Sequence, residues 1–213
     1  MTIAILGTGN VARALVPALA AAGRTVIVAS RTPSDRDLVA WAGEQPGTVT
    51  VASHEDAVGQ ATIVVNALPG TASLAALTAI AGTLAGRVLI DVANAVTFGS
   101  SGAELIYQGA SLGAELQRAL PGTRVVKTLN TLTAEAMVAP AALSPHPSVF
   151  LSGDDPAAKE AASALLADLG WPPRSIVDLG GIDTARGPEN AFHLLLSLMS
   201  AAGTREVSLA VAR

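Results

Sequence analysis

Three observations predict an α/β protein built on a doubly wound parallel sheet. Short, nearly continuous apolar runs alternate with helical segments along most of the 213 residues. That is the pattern of βαβ units whose strands are covered on both faces. The first run, Ile3–Leu6, leads through Gly7-Thr8-Gly9-Asn10-Val11-Ala12 into an Ala/Leu-rich helix and a second run, Val26–Arg31. Half of the residues are hydrophobic while only 3% are aromatic and 14% charged, so alanine, valine and leucine carry the burial.

The opening unit is strand, glycine turn, helix, strand, the order that a dinucleotide site requires. Gly7 permits the tight turn, Gly9 lets a pyrophosphate approach the backbone, and Ala12 lets the helix pack closely on the strand. Free N–H groups and the positive end of the helix dipole would then face the phosphates. Gly7, Thr8, Gly9, Asn10 and Val11 are therefore candidate cofactor-binding residues of a Rossmann-like sheet; the alternative is a glycine turn in some other α/β protein. After the second strand a site for NAD presents an acidic residue to the ribose 2′-hydroxyl. This chain presents Ser30-Arg31, with Arg36 close behind. A guanidinium pairs with a 2′-phosphate through charge-assisted hydrogen bonds, so NADP is expected. Ordinary solvated charges on a loop are the other reading of Arg31 and Arg36.

Further strands are expected over Thr48–Ala52, Thr62–Ala67, Arg87–Val92 and Arg124–Leu129, with helices over Pro33–Gly43, Thr71–Leu84 and Ser111–Leu120. Such a sheet binds ligands at the carboxyl ends of its strands. Ala67, Leu68 and Pro69 stand there as an apolar wall for adenosine or ribose. Asn94, Asn130 and Thr131 are candidates for orienting ring amides or carbonyls; each reads equally well as a strand-end turn residue. Gly99–Gly113, rich in glycine and serine, is expected as a mobile flap or a surface excursion.

Beyond Asn130 the pattern predicts a helix over Thr133–Val138, a proline-rich bend over 140–147, a strand over Ser148–Ser152, a helix over Asp154–Leu169 and a strand over Ile176–Leu179. Asp154 or Asp155 would cap that second helix ahead of Pro156. A last helix, Glu189–Ala202, is apolar on nearly every turn. It is expected to be buried, in the core or at a subunit interface. The expected organisation is a dinucleotide domain over 1–135 and a small C-terminal α/β domain over 136–213 that closes an acceptor cleft.

Composition removes several function classes. A net charge of −4 offers no basic field to nucleic acid or to an anionic membrane. The absence of cysteine excludes disulfides, thiolate metal sites and cysteine catalysis. His54, His146 and His193 lack metal-ligand spacing. No apolar run approaches the ~20 residues needed to span a bilayer, and the N-terminus enters a strand without a signal-like segment. A cytoplasmic location is expected.

Taken together, Gly7-Thr8-Gly9-Asn10, Ser30-Arg31, Ala67-Leu68-Pro69, Asp91-Val92-Ala93-Asn94, Arg124–Thr131 and the 181–186 stretch resemble the coenzyme F420-dependent NADP oxidoreductase family, in the family's order and over nearly the whole chain. The resemblance implies hydride transfer between NADPH and the deazaflavin F420. NADP would lie in the Rossmann-like part and F420 in a cleft beside the small domain, in a homodimer. Aliphatic groups near Leu68-Pro69, Val96 and Leu132 would then sandwich the deazaflavin, and its anionic tail would reach Lys127 or Arg186. Such chemistry needs positioned rings rather than a protein nucleophile, which agrees with the lack of any catalytic constellation. The residues themselves leave the acceptor open: another flavin, a small carbonyl compound, or none in an NADP-binding sensor.

Overall fold

The structure is a computed structural model and describes residues 1–100, 102–144 and 146–212. Residue 101 of the expected flap and residue 145 of the expected bend lie outside the described residues. The main sheet contains β1 (Thr2–Leu6), β2 (Thr25–Ala29), β3 (Thr48–Ala52), β4 (Ile63–Asn66), β5 (Val88–Asp91), β8 (Arg124–Lys127), β9 (Val149–Gly153) and β10 (Ile176–Asp178), and β6 (Val96–Gly99) and β7 (Gly102–Leu105) form a separate pair. Strand order in the main sheet is β10-β9-β8-β5-β4-β1-β2-β3. Its stretch β3-β2-β1-β4-β5-β8 is the doubly wound dinucleotide-fold order. All these pairs are parallel except β8 with β9. Residues beyond 136 thus add two strands to the same sheet.

Alternation along each strand divides the core into two layers. Ile3 and Ile5 of β1, with Val26, Val28, Ile63 and Val65, pack toward α1 (Asn10–Ala21) and α8 (Pro156–Asp168). Ala4 and Leu6, with Ile27, Ala29 and Val64, pack toward α3 (His54–Gln60), α4 (Gly70–Ala79) and α6 (Leu112–Ala119). Burial on both faces is why the strands read as continuous apolar runs. Within the C-terminal part Trp171 is 1% exposed and donates its indole N–H to Met137 O at 2.9 Å, and its ring packs into the core layer shared with β1 and α1. Arg24, immediately ahead of β2, grips Asp168 of α8 through two hydrogen bonds of 2.7 and 2.8 Å.

One helix is added to those expected, and three local expectations change. The segment after β3 forms α3, capped by Ser53, whose Oγ accepts from Asp56 N at 3.1 Å. The single helix expected over Thr71–Leu84 is broken at Ile80 into α4 and α5 (Ala81–Leu84). The first part of the expected flap, with the residues just before it, is an antiparallel arm: β6 pairs with β7, and Ile106 N donates to Ala95 O. Strand pairing satisfies backbone groups that a structureless loop would leave to solvent. The last helix, α9 (Arg186–Ala202), buries only Pro188, Glu189 and Leu195. Its packing partners are α6 and the 3-10 turn Ile182–Ala185, so Leu194 and Leu198 are exposed on this chain and do not belong to its core. The cap on α8 is as expected, with Asp155 accepting from Ala158 N at 2.7 Å ahead of Pro156.

Gly70 opens α4 against the end of β5. A Cβ built there would lie 2.1 Å from Asn94 O. Gly70→Ala is therefore expected to cost about 1–3 kcal/mol through overpacking, read as a lowered urea midpoint at unchanged slope.

Candidate functional site

The carboxyl ends of β1, β2, β3 and β4 open into a cleft of about 820 Å³ lined by Gly7–Val11, Ala29–Thr32, His54 and Ala67–Pro69. Gly7 has φ +119°, and a Cβ on it would sit 2.5 Å from Ala67 O, so only glycine lets the ends of β1 and β4 approach this closely. Gly9 is different: a Cβ there would meet nothing within 4 Å, and the vacant space faces the start of α1. Gly9 is also the N-cap of α1 and supplies no side-chain acceptor, so the first N–H groups of the helix remain available to an anion. Leu68 and Pro69 form one wall. Ser30 is nearly buried, and its Oγ accepts from Thr32 N at 3.1 Å, which leaves the hydroxyl proton to donate. Arg31 is exposed at the rim. An open backbone position, an uncapped helix and a rim guanidinium fit a phosphorylated dinucleotide.

His54 lines the cleft as well, a residue the sequence reading set aside as a scattered histidine. The signal was its place just past β3, whose end lies beside Ser30 in a parallel sheet. Burial, and then the neighbouring Arg31 charge, lower its pKa below the usual histidine value.

Six sequence candidates lie outside the cleft lining: Arg36, Asn94, Val96, Lys127, Asn130 and Thr131. Arg36 opens α2 (Arg36–Gly43) on the exposed side. Val96 starts the β6–β7 arm. Asn94 and Asn130 spend their amides on each other: Asn94 Nδ2 donates to Asn130 O at 2.7 Å and Asn130 Nδ2 donates to Asn94 Oδ1 at 3.0 Å. Thr131 is buried beside them in sequence, and Leu129 holds a left-handed φ of 61°, so the turn after β8 is tightly specified.

Lys127 is the main correction. The expected contact with an anionic tail needs an exposed cation, yet Lys127 is 1% exposed. Its Nζ lies 2.8 Å from Asp91 Oδ2 and 2.9 Å from Glu189 Oε1, and also donates to Ala93 O. Burial alone would lower the pKa of the ammonium; Asp91 and then Glu189 more than offset this, and the net direction is upward. The polar chain continues at both ends. Asp91 Oδ1 accepts from Asn66 Nδ2 at 2.7 Å, and Asn66 Nδ2 donates also to Ser73 Oγ at 3.0 Å. Glu189 accepts from Leu112 N and Gly113 N at 2.8 and 3.1 Å, which caps α6. No group of three or more His, Asp or Glu that could hold a metal ion occurs among the described residues, and none of their helices is long and apolar enough to cross a membrane.

The strand order and the glycine cleft at its switch point define a Rossmann-type dinucleotide-binding protein. Residues 2–95 match the family described as NADP oxidoreductase, coenzyme F420-dependent. A solved structure of a candidate F420-dependent NADP-reductase from Arthrobacter sp. FB24 is 40% identical, superposes with a TM-score of 0.91 and covers 100% of both chains. The chain belongs to the coenzyme F420-dependent NADP oxidoreductase family. Among more distant relatives, the F420-dependent NADP reductase of Methanothermobacter thermautotrophicus is 27% identical over 93% of this chain and 89% of its own. Metalloreductase STEAP3 of Rattus norvegicus is 29% identical over 88% of this chain, which spans only 35% of that protein's length.

Gly9→Val is expected to leave the circular dichroism spectrum unchanged and abolish dinucleotide binding, because the added side chain fills the vacant space without meeting protein. Lys127→Ala is expected to cost about 3–5 kcal/mol by leaving two buried carboxylates uncompensated, measured by denaturant unfolding. Since the folded pKa of Lys127 is raised, the ammonium's contribution is complete at neutral pH and is lost only as pH climbs through that raised value. The stability gap between wild type and Lys127→Ala should therefore stay level across the neutral range and narrow only in strong alkali.

Proposed function

We propose that the chain transfers a hydride between NADPH and the deazaflavin coenzyme F420, working as a homodimer in the cytoplasm. The observation that carries the NADP half is the open backbone at Gly9 beside the Ser30–Arg31 rim. The first N–H groups of α1 bind the pyrophosphate, Arg31 and the Ser30 hydroxyl hold the 2′-phosphate, and Leu68 and Pro69 shield the ribose from water. NADPH, when bound, supplies the hydride, and F420 takes it up together with a solvent proton. Protein side chains need only bind and orient the two rings, so no nucleophile or general base is assigned.

Family membership supports F420 as the acceptor, with residues 136–213 closing its cleft. Arg186, exposed at the base of α9 with Asp183 and Arg118 around the same hollow, supports a contact with the anionic tail; the paired and buried Lys127 does not. Exposed Leu194 and Leu198 on α9 support a subunit contact. The metalloreductase relatives favour a second reading, the same hydride donor with a different acceptor.

Mixing the purified chain with NADPH and F420 should bleach the visible absorbance of the deazaflavin. NADPH binding without bleaching would remove F420 as acceptor, and oxidation of NADPH by a free flavin in its place would establish the second reading. Arg31→Ala is expected to weaken NADPH binding roughly tenfold to a hundredfold, the worth of a charge-assisted hydrogen bond of about 1.5–3 kcal/mol, with little change for NADH. Equal losses for both would show that Arg31 does not read the 2′-phosphate.

A further inference from the structure

The cleft contains a second basic group. β2 and β3 run parallel with Ala29 opposite Ala52, and Ser30 N donates to Ala52 O at 3.0 Å. Arg31 and His54 each lie two residues beyond that pair, so the register sets them on adjacent strand ends, and both line the cleft. Among the described residues neither side chain makes a hydrogen bond or an ion pair. Two basic groups brought together without an anion disfavour charging of the weaker one, and an anion bound between them reverses the effect.

We propose that His54 is a specificity-determining residue: its imidazole donates to the 2′-phosphate of NADP beside Arg31 and gains a proton as that dianion binds. This rests on the NADP reading above. Burial, then the Arg31 charge, push the pKa of the free histidine below its usual value; a dianion bound beside the ring opposes that shift, so binding draws a proton onto it. The surroundings contain little else that titrates. Glu55 and Asp56 lie on the same helix, and Asp56 is tied to the Ser53 hydroxyl at 2.6 Å. β1, β2, β3 and α5, which pack on α3, carry no titratable side chain. Arg87 meets only the far end of the helix, at the Gly59 and Ala61 carbonyls.

A ligand-linked proton has a measurable signature. NADPH and NADH are titrated calorimetrically into the full chain from about pH 5 to about pH 8.5, the range that brackets histidine and the second phosphate ionisation, in buffers of differing ionisation enthalpy. Wild type should take up protons on binding NADPH but not NADH, and its NADPH affinity should fall about tenfold across the range. His54→Gln should lose most of the proton uptake and weaken NADPH mainly at the acid end, while NADH binding persists and reports an intact fold. His54→Lys, a permanent cation, should keep NADPH affinity high and flatten its pH dependence. Equal losses for NADPH and NADH in His54→Gln would mean that the ring meets the adenosine common to both and would overturn the inference. Unchanged proton uptake in His54→Gln would place the proton on the phosphate and overturn it likewise. No NADPH binding by wild type would overturn the NADP reading and this inference together, whereas the two preceding outcomes leave that reading standing.

Discussion

The buried ammonium of Lys127 is the constraint on which one half of the sheet depends. A charge withdrawn from water is tolerated only where counter-charges and hydrogen bonds meet it at close range. Here they come from three places. Asp91 is its opposite number in the β5–β8 register, the Ala93 carbonyl follows β5, and Glu189 arrives from α9. Glu189 uses both oxygens on the first amides of α6 as well, so one carboxylate ties together the starts of α6 and α9 and the end of β8. Asn66 carries the chain of contacts on to β4 and Ser73. The mutual amide pair of Asn94 and Asn130 closes over the same strand ends.

The other half of the sheet is organised by absence of side chain. β1 and β4 converge because Gly7 has no Cβ to strike Ala67, and the mouth of α1 stays open because Gly9 has none either. The two regimes meet at β4, whose end supplies both the Ala67–Pro69 wall of the cleft and, through Asn66, the first link of the polar chain. The dinucleotide cleft is open and weakly committed to internal contacts, while at the neighbouring strand ends Asp91, Lys127, Asn94 and Asn130 are all paired; among the described residues only the Thr128 hydroxyl is buried there without a partner. This contrast suits a site that must admit a ligand without letting its floor move.

Local signals made much of this readable in the sequence. The glycine turn, Ser30-Arg31 and the Ala67-Leu68-Pro69 wall depend on residues a few positions apart, and the structure brings them together in one cleft. What escaped depends on distant partners. A lysine at a strand end reads as a solvated charge until residues from β5 and α9 are seen to surround it. His54 reads as one of three scattered histidines because its neighbour Arg31 is adjacent only through the β2–β3 register. The arm of β6 and β7 was hidden by glycine and serine, which suggest a loop even where backbone pairing is available. The leucine-rich α9 read as buried because periodicity reports apolarity and not what covers it; in the chain described, only its first turn and Leu195 are enclosed.

Glu189 also sets an order of events during synthesis. Domains take shape from the N-terminus as the chain emerges, and Lys127 is made well before the carboxylate that completes its surroundings. Until then the strands through β8 hold an ammonium with a single carboxylate, and the first amides of α6 face no acceptor from α9. The arrival of one late residue settles both deficits at once. Native packing at the carboxyl ends of β5 and β8 is thereby coupled to the last helix, and a nascent chain halted before it would have an unfinished interior, however complete its first six-strand sheet.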